Sequence, residues 1–279
     1  MSPYLTTQIS QTLQRALHER AESSGQSISH IVQAALAEAL DIQHHSLFQV
    51  STSGAIVHGL YQGCVSVAEL RRHGDLGLGT FEDLDGEMIL LDGHCFQARA
   101  DGTVRQAPDD ALTPFATVVS FAADHIMRLP HSTLSDLTRA LTDRRVTPNG
   151  IEAYRVTGTF EALELRAACR TDPGVDLVTA TAHQSLFHRE NITGTLVGFY
   201  SPEYMRSVSI SGYHLHFLSD DRSCGGHVLG FTGIDLNVEI NDVSHVQLAI
   251  PETTEFLKAD LTEDISAALD IAERQVRGT

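Results

Sequence analysis

The spacing of apolar positions divides the chain into two textures. In LTTQIS at 5–10, Leu5, Thr7 and Ile9 alternate with Thr6 and Gln8, the period of a short strand. Ser10 then suits an N-cap for a helix over 11–23, with Leu13, Ala16, Leu17 and Ala21 on one face. Gly25 ends that helix and Ser27 caps a second. The second carries Ile28, Ile31, Val32, Ala35, Leu36, Ala39 and Leu40 as its stripe. A unit this small cannot bury its own apolar faces and needs a partner.

From residue 46 the texture changes to short β-rich runs broken by Gly and Asp. Asp-Gly stands at 85–86, 92–93 and 101–102, and between apolar runs it signals hairpins. The pattern predicts a meander over 78–106, a buried strand at 114–124 and a helix at 132–145. Strands follow at 151–166, 194–200, 206–218, 227–232 and 236–249, then a final helix at about 263–275. The expected class is α+β. A mostly β region, with mixed and antiparallel sheets and a barrel-like C-terminal part, follows a small strand–helix–helix module. The expected domains are 1–45 and 46–279, the latter with sub-parts of about 46–190 and 191–279. The glycines of GLG at 77–79 lead into strand-like residues, which makes a nucleotide loop a weak reading.

Composition narrows the function. Lys+Arg is 19 against Asp+Glu 36, a net charge of −17, so the chain should repel nucleic acid. No apolar run approaches the roughly 20 residues of a membrane helix, and MSPYLTTQIS is no signal segment. The cytoplasm is the expected compartment. Cys64, Cys95, Cys169 and Cys224 form no C-x-x-C pair, and free thiols are expected.

The stretch TTQISQTLQRALHERAESSGQSISHIVQAALAEAL resembles a ribbon–helix–helix module, in which two chains pair their strands. The resemblance implies a homodimer. In that family outward strand residues read the DNA major groove; here they would be Thr6 and Gln8. With Arg15 and Arg20 against Glu19, Glu22, Glu38 and Asp41, the module offers little to phosphate, so dimerisation is favoured over DNA binding.

Candidate chemistry lies in GYHLHFLSDDRSCGGHV, 212–228. His214 and His216 stand two apart in a strand-like run, so both rings face one way. The polar, Gly-rich 219–226 suits a turn. A hairpin there sets His216 nearly opposite His227, at about 5 Å. Three neutral imidazoles leave a fourth coordination position open, as catalytic zinc sites do. Zinc fits this ligand type; Cys224 is a soft ligand by type, but its place in the turn points it elsewhere.

Residues 194–231, GTLVGFYSPEYMRSVSISGYHLHFLSDDRSCGGHVLGF, are similar to the signature region of bacterial acetolactate decarboxylases. So is 47–93, LFQVSTSGAIVHGLYQGCVSVAELRRHGDLGLGTFEDLDGEMILLDG, and the likeness covers roughly 46–279. The resemblance implies a metal-dependent lyase converting 2-acetolactate to acetoin and carbon dioxide, with zinc on His214, His216 and His227. It maps further site residues to Glu87, Thr80, Arg166 and Glu273. The stretch AACRTDPG departs from the family pattern after Arg166 and leaves Arg170 as an alternative. Decarboxylating a β-keto acid leaves electrons on the ketone oxygen, and a Lewis acid stabilises them. An arginine suits the substrate carboxylate, and a carboxylic acid in an apolar setting, as expected for Glu87, can return a proton. The rival reading is a metal-responsive ribbon–helix–helix repressor; acidic charge and the long region after residue 45 oppose it.

Overall fold

The computed structural model describes residues 6–25, 27–40 and 45–274. The ribbon expected at 5–10 is not formed: 6–10 carry no strand, and Leu5 lies outside the described residues. A ribbon needs a second strand to bond, and among the described residues no strand pairs with 6–10. The helices do form. In α1 (Gln11–Ser24) the Ser10 hydroxyl accepts from the Leu13 amide at 3.2 Å, and Gly25 closes the helix at φ +70°. In α2 (Ile28–Ala39) the Ser27 hydroxyl accepts from the His30 amide at 3.1 Å. No residue of α1 is buried, and Leu13 and Leu36 are 49% and 42% exposed. The apolar stripes of the pair thus stay largely open.

The body begins with β1 (Ser46–Val50), α3 (Ser53–Val57), β2 (Val65–Ser66) and α4 (Val67–His73). Then come β3 (Leu76–Thr80), β4 (Glu87–Leu91), β5 (His94–Ala98), β6 (Val104–Gln106), β7 (Leu112–Thr113) and β8 (Ala116–Val119). The meander over 78–106 is present as β3 to β6. Its β4–β5 turn places Asp92 and Gly93 at φ +51° and +73°, the conformation that selects Asp-Gly in tight hairpins. The glycines of GLG serve packing. A Cβ on Gly77 would stand 2.6 Å from the Thr117 carbonyl oxygen, and one on Gly79 2.4 Å from that of Phe115. They let β3 lie flush against β8 and its approach.

The second half is built from β9 (His125–Thr133), α5 (Leu134–Arg144), β10 (Ile151–Ala167), α6 (Leu177–Thr181), β11 (Ser185–Ser201), β12 (Gly212–Ser219) and β13 (Gly225–Val243). β14 (His245–Ala249), α7 (Thr254–Lys258) and α8 (Ser266–Arg274) follow. A seven-stranded sheet runs β14-β1-β8-β3-β4-β5-β6, mixed because β14 pairs parallel to β1. A five-stranded antiparallel sheet runs β10-β11-β12-β13-β9. β10 also pairs with β13, so β10 to β13 close into a ring. The fold is thus mixed α+β and mostly β.

Several boundaries differ from expectation. The division near 190 falls inside β11; the layers separate instead near 120–125, and β14 returns to the first sheet. The runs 227–232 and 236–249 are mostly one strand, β13, in which irregular registers against β10 absorb the glycines that look like a turn. Residues 125–133 form β9, so 132 and 133 end a strand rather than open the helix, and 206–211 lie before β12 rather than in it. Phe160, at the centre of the ring's core, meets Phe217 and Phe231 edge-on at 5.2 and 5.4 Å. A second core, including Leu78, Ile89, Val197 and Leu218, joins the two sheets. Among the described residues, no helix is long and apolar enough to cross a membrane.

Candidate metal centre and active site

The site forms where the first sheet meets the ring. His214 and His216 project from one face of β12, and His216 pairs directly opposite His227 of β13. Their turn requires Gly226: its φ is +153°, and a Cβ there would lie 2.6 Å from the Arg166 carbonyl oxygen. All three rings are buried. His214 Nε2 lies 3.2 Å from His216 Nε2 and 3.2 Å from His227 Nδ1. Two donors bound at about 2.0–2.1 Å to a tetrahedral zinc stand about 3.3 Å apart, so the spacing suits a small divalent ion.

Electrostatics favour the ligating form. Burial pushes the His214 and His227 imidazoles well below the ordinary range, helped at His214 by His216 and at His227 by Arg166. Burial brings His216 down to about 4, although its bond to Met88 opposes the shift. His216 Nδ1 donates to the Met88 carbonyl of β4 at 2.8 Å, which leaves Nε2 as the lone pair facing the cluster. Three neutral nitrogens so close, in so dry a place, could hold a cation between them. Cys224 does not join them; its side chain belongs to the ring's core. All four cysteines are unpaired.

Around the imidazoles stand the other sequence-predicted residues. Glu87 opens β4 opposite Thr80, and its Oε2 lies 3.5 Å from His216 Nε2. Its Oε1 accepts from the Ala168 amide at 3.0 Å. Burial raises the Glu87 carboxyl to about 7, against the pull of Arg166. The Thr80 hydroxyl donates to the Gly86 carbonyl at 2.8 Å and so holds the turn before Glu87. Arg166 is buried beside His227 on the ladder. It donates to Gln184 at 3.1 Å and to the Ala272 carbonyl, and its Nη2 lies 3.5 Å from Glu273 Oε2. Glu273, 19% exposed on α8, comes within 3.8 Å of His227 Nε2, and burial raises its carboxyl. Arg170 instead pairs with Asp83 at the surface, its side chain 72% exposed. Of the two arginines only Arg166 faces the cluster.

A cavity of about 60 Å³ is bounded by Thr80, Glu87, Arg166, His214, His227 and Glu273, with Leu84, Phe115 and Leu269 among its apolar walls. It combines an imidazole trio, a guanidinium and two carboxyls of raised pKa. Such a set can grip an anionic oxygenated molecule, withdraw electrons from it and return a proton. Sequence reasoning missed Gln184, which bonds Arg166, and the Met88 carbonyl. Neither carries a sequence signal: one is a lone Gln before a strand, the other is main chain.

Sequence comparison with known proteins points to one family. The family model described as alpha-acetolactate decarboxylase matches residues 47–263. The alpha-acetolactate decarboxylase of Methanosarcina mazei is 38% identical over 259 residues, covering 90% of this chain and 87% of that protein. That of Lactococcus lactis subsp. cremoris is 39% identical over 233 residues, covering 81% and 98%. The crystal structure of alpha-acetolactate decarboxylase from Bacillus subtilis strain 168 superposes with a TM-score of 0.79 at 32% identity, covering 82% of this chain and 99% of that one.

Proposed function

The chain belongs to the alpha-acetolactate decarboxylase family, and from that premise we propose that it is a carbon–carbon lyase converting 2-acetolactate to acetoin and carbon dioxide at the buried histidine cluster. The observation that carries the reading is the convergence of three neutral imidazoles on one point beside Arg166 and Glu87. His214, His216 and His227 would hold the metal, which we read as zinc from its imidazole ligands and open fourth position. When bound, that ion supplies Lewis acidity toward the keto and hydroxyl oxygens of the substrate.

The chain's own residues do the rest. Arg166 binds the substrate carboxylate and orients the C1–C2 bond, while Gln184 and the Ala272 carbonyl hold its guanidinium in place. As that bond breaks, carbon dioxide leaves and the electron pair passes from C2 toward the C3 carbonyl oxygen. Glu87, whose burial favours the protonated carboxyl, holds the proton that goes to C2, and solvent reprotonates it. Delivery from a fixed side of the cavity sets the stereochemistry of acetoin. Glu273 sits on the opposite flank of Arg166 and steadies it. The apolar walls keep water from competing as a proton source. We read the N-terminal helices as a dimerisation arm, which their open apolar stripes support.

The test is direct. Purified protein mixed with racemic 2-acetolactate should yield acetoin, lose that activity after chelation and regain it with zinc. Acetoin output that is unaffected by replacing His214 and His216 with alanine would remove the reading.

A further inference from the structure

We propose a second metal site, formed by His30, His45 and Asp124, which clips the N-terminal helical pair to the catalytic body. The three residues come from α2, from the residue just before β1 and from the segment before β9, and one donor atom of each lies within 4.8 Å of the others. The His30 and His45 rings meet with centroids 3.9 Å apart at an interplanar angle of 38°. His45 Nδ1 lies 3.5 Å from Asp124 Oδ2 and within bonding reach of the Asp242 carbonyl.

Asp124 supplies the independent observation. Its side chain is 3% exposed. Oδ2 is satisfied by the Asn241 amide at 3.0 Å and the Asp242 backbone amide at 2.9 Å. Oδ1 is buried with no hydrogen-bond partner. A buried carboxylate oxygen left open is costly, and a bound cation is one way a fold removes that cost. His45 itself sits at φ +51°, an uncommon region for a residue with a side chain, and its carbonyl is fixed by the amides of Ser244 and His245.

An imidazolium on His45 paired with Asp124 is the alternative. It leaves the second ring stacked against a positive charge and Oδ1 open. Nearby Asp242 also faces His125 at 3.0 Å and Arg144 at 3.9 Å, so its charge is partly taken up by those groups. Two imidazoles and a carboxylate make a donor set for a borderline divalent ion such as zinc, cobalt or nickel. Tetrahedral zinc holds its donors about 3.3 Å apart, so the trio, within 4.8 Å, would close around the ion.

The site is separate from the histidine cluster of the ring, so the test counts ions. Untagged full-length protein is freed of metal, loaded with cobalt(II), dialysed and assayed for bound cobalt. It should retain two equivalents per chain. His30→Ala should retain one, with acetoin production unchanged; the near-isosteric Asp124→Asn should do the same. His216→Ala should also retain one, and the His30→Ala/His216→Ala double variant none. Circular dichroism checks that each variant is folded. Retention of the full count by both His30→Ala and Asp124→Asn overturns the proposal, as does a wild-type count of one that His216→Ala abolishes. A count that His216→Ala leaves unchanged while His30→Ala lowers it would instead undermine the catalytic centre and leave this one standing.

Discussion

Replacing Glu87 by glutamine should make the metal-free protein more stable while disabling it. The wild-type carboxyl is buried, and burial raises its pKa from the ordinary 4.5 to about 7. A group that binds protons more tightly when folded costs nothing below 4.5, and its cost accumulates as pH climbs to 7 and beyond. The shift amounts to about 1 kcal/mol of lost stability at pH 5 and about 3 kcal/mol at pH 8. Glutamine escapes that cost, and its amide oxygen can still accept from the Ala168 backbone, which Glu87 now holds at 3.0 Å. Urea denaturation of chelated wild type and Glu87→Gln at the two pH values measures the gain. Chelation matters because a dication beside His216 would draw the carboxyl's pKa down. The zinc-loaded variant should lose about 10²–10⁴-fold in turnover, the usual worth of a general acid. A stability gain that is equal at pH 5 and pH 8, or a loss at pH 8, would refute the reasoning.

Arg166→Lys keeps the charge but gives up the planar fork that reaches Gln184 and the Ala272 carbonyl; kcat/KM should fall about 100-fold or more, checked by steady-state kinetics. Phe160→Ala removes a fully buried ring from between Phe217 and Phe231, and urea unfolding should show a loss of about 3–5 kcal/mol. With the cluster imidazoles held neutral, His216 down to about 4, equilibrium dialysis should find the catalytic ion retained at pH 6 and released near pH 4. Half-loss at pH 6, near the pKa of an ordinary imidazole, would contradict it. Leu13→Glu with Leu36→Glu places charge on the open stripes of α1 and α2, and light scattering should show a dimer giving way to a monomer at unchanged activity per chain.

Local chemistry was the legible part of this molecule. Asp-Gly pairs mark the turns of β3 to β6 because tight hairpins demand positive φ. His-x-His on a strand and a third His beyond a Gly-rich turn place three rings together because pleat and register are local rules. What stayed hidden depends on distant contacts. Arg166 meets Glu273 only because α8 packs on α3 and α6 close to β10, and no spacing rule links residues 107 apart. β13 hides its length because irregular registers swallow glycines that elsewhere end strands. The ribbon at 5–10 failed for the opposite reason: alternation was present, but a strand without a neighbour has nowhere to send its backbone bonds.

The Met88 carbonyl that steers His216 is a peptide oxygen, supplied by the opposite sheet. Position 88 can therefore exchange its side chain for another of similar bulk without disturbing the ligand. A sub-ångström slip of β4 against β12 would turn the ring away. Damage to the enzyme through this contact would come from substitutions several residues off, in the packing between layers, and would look like a loss of ion affinity with every coordinating group still in place.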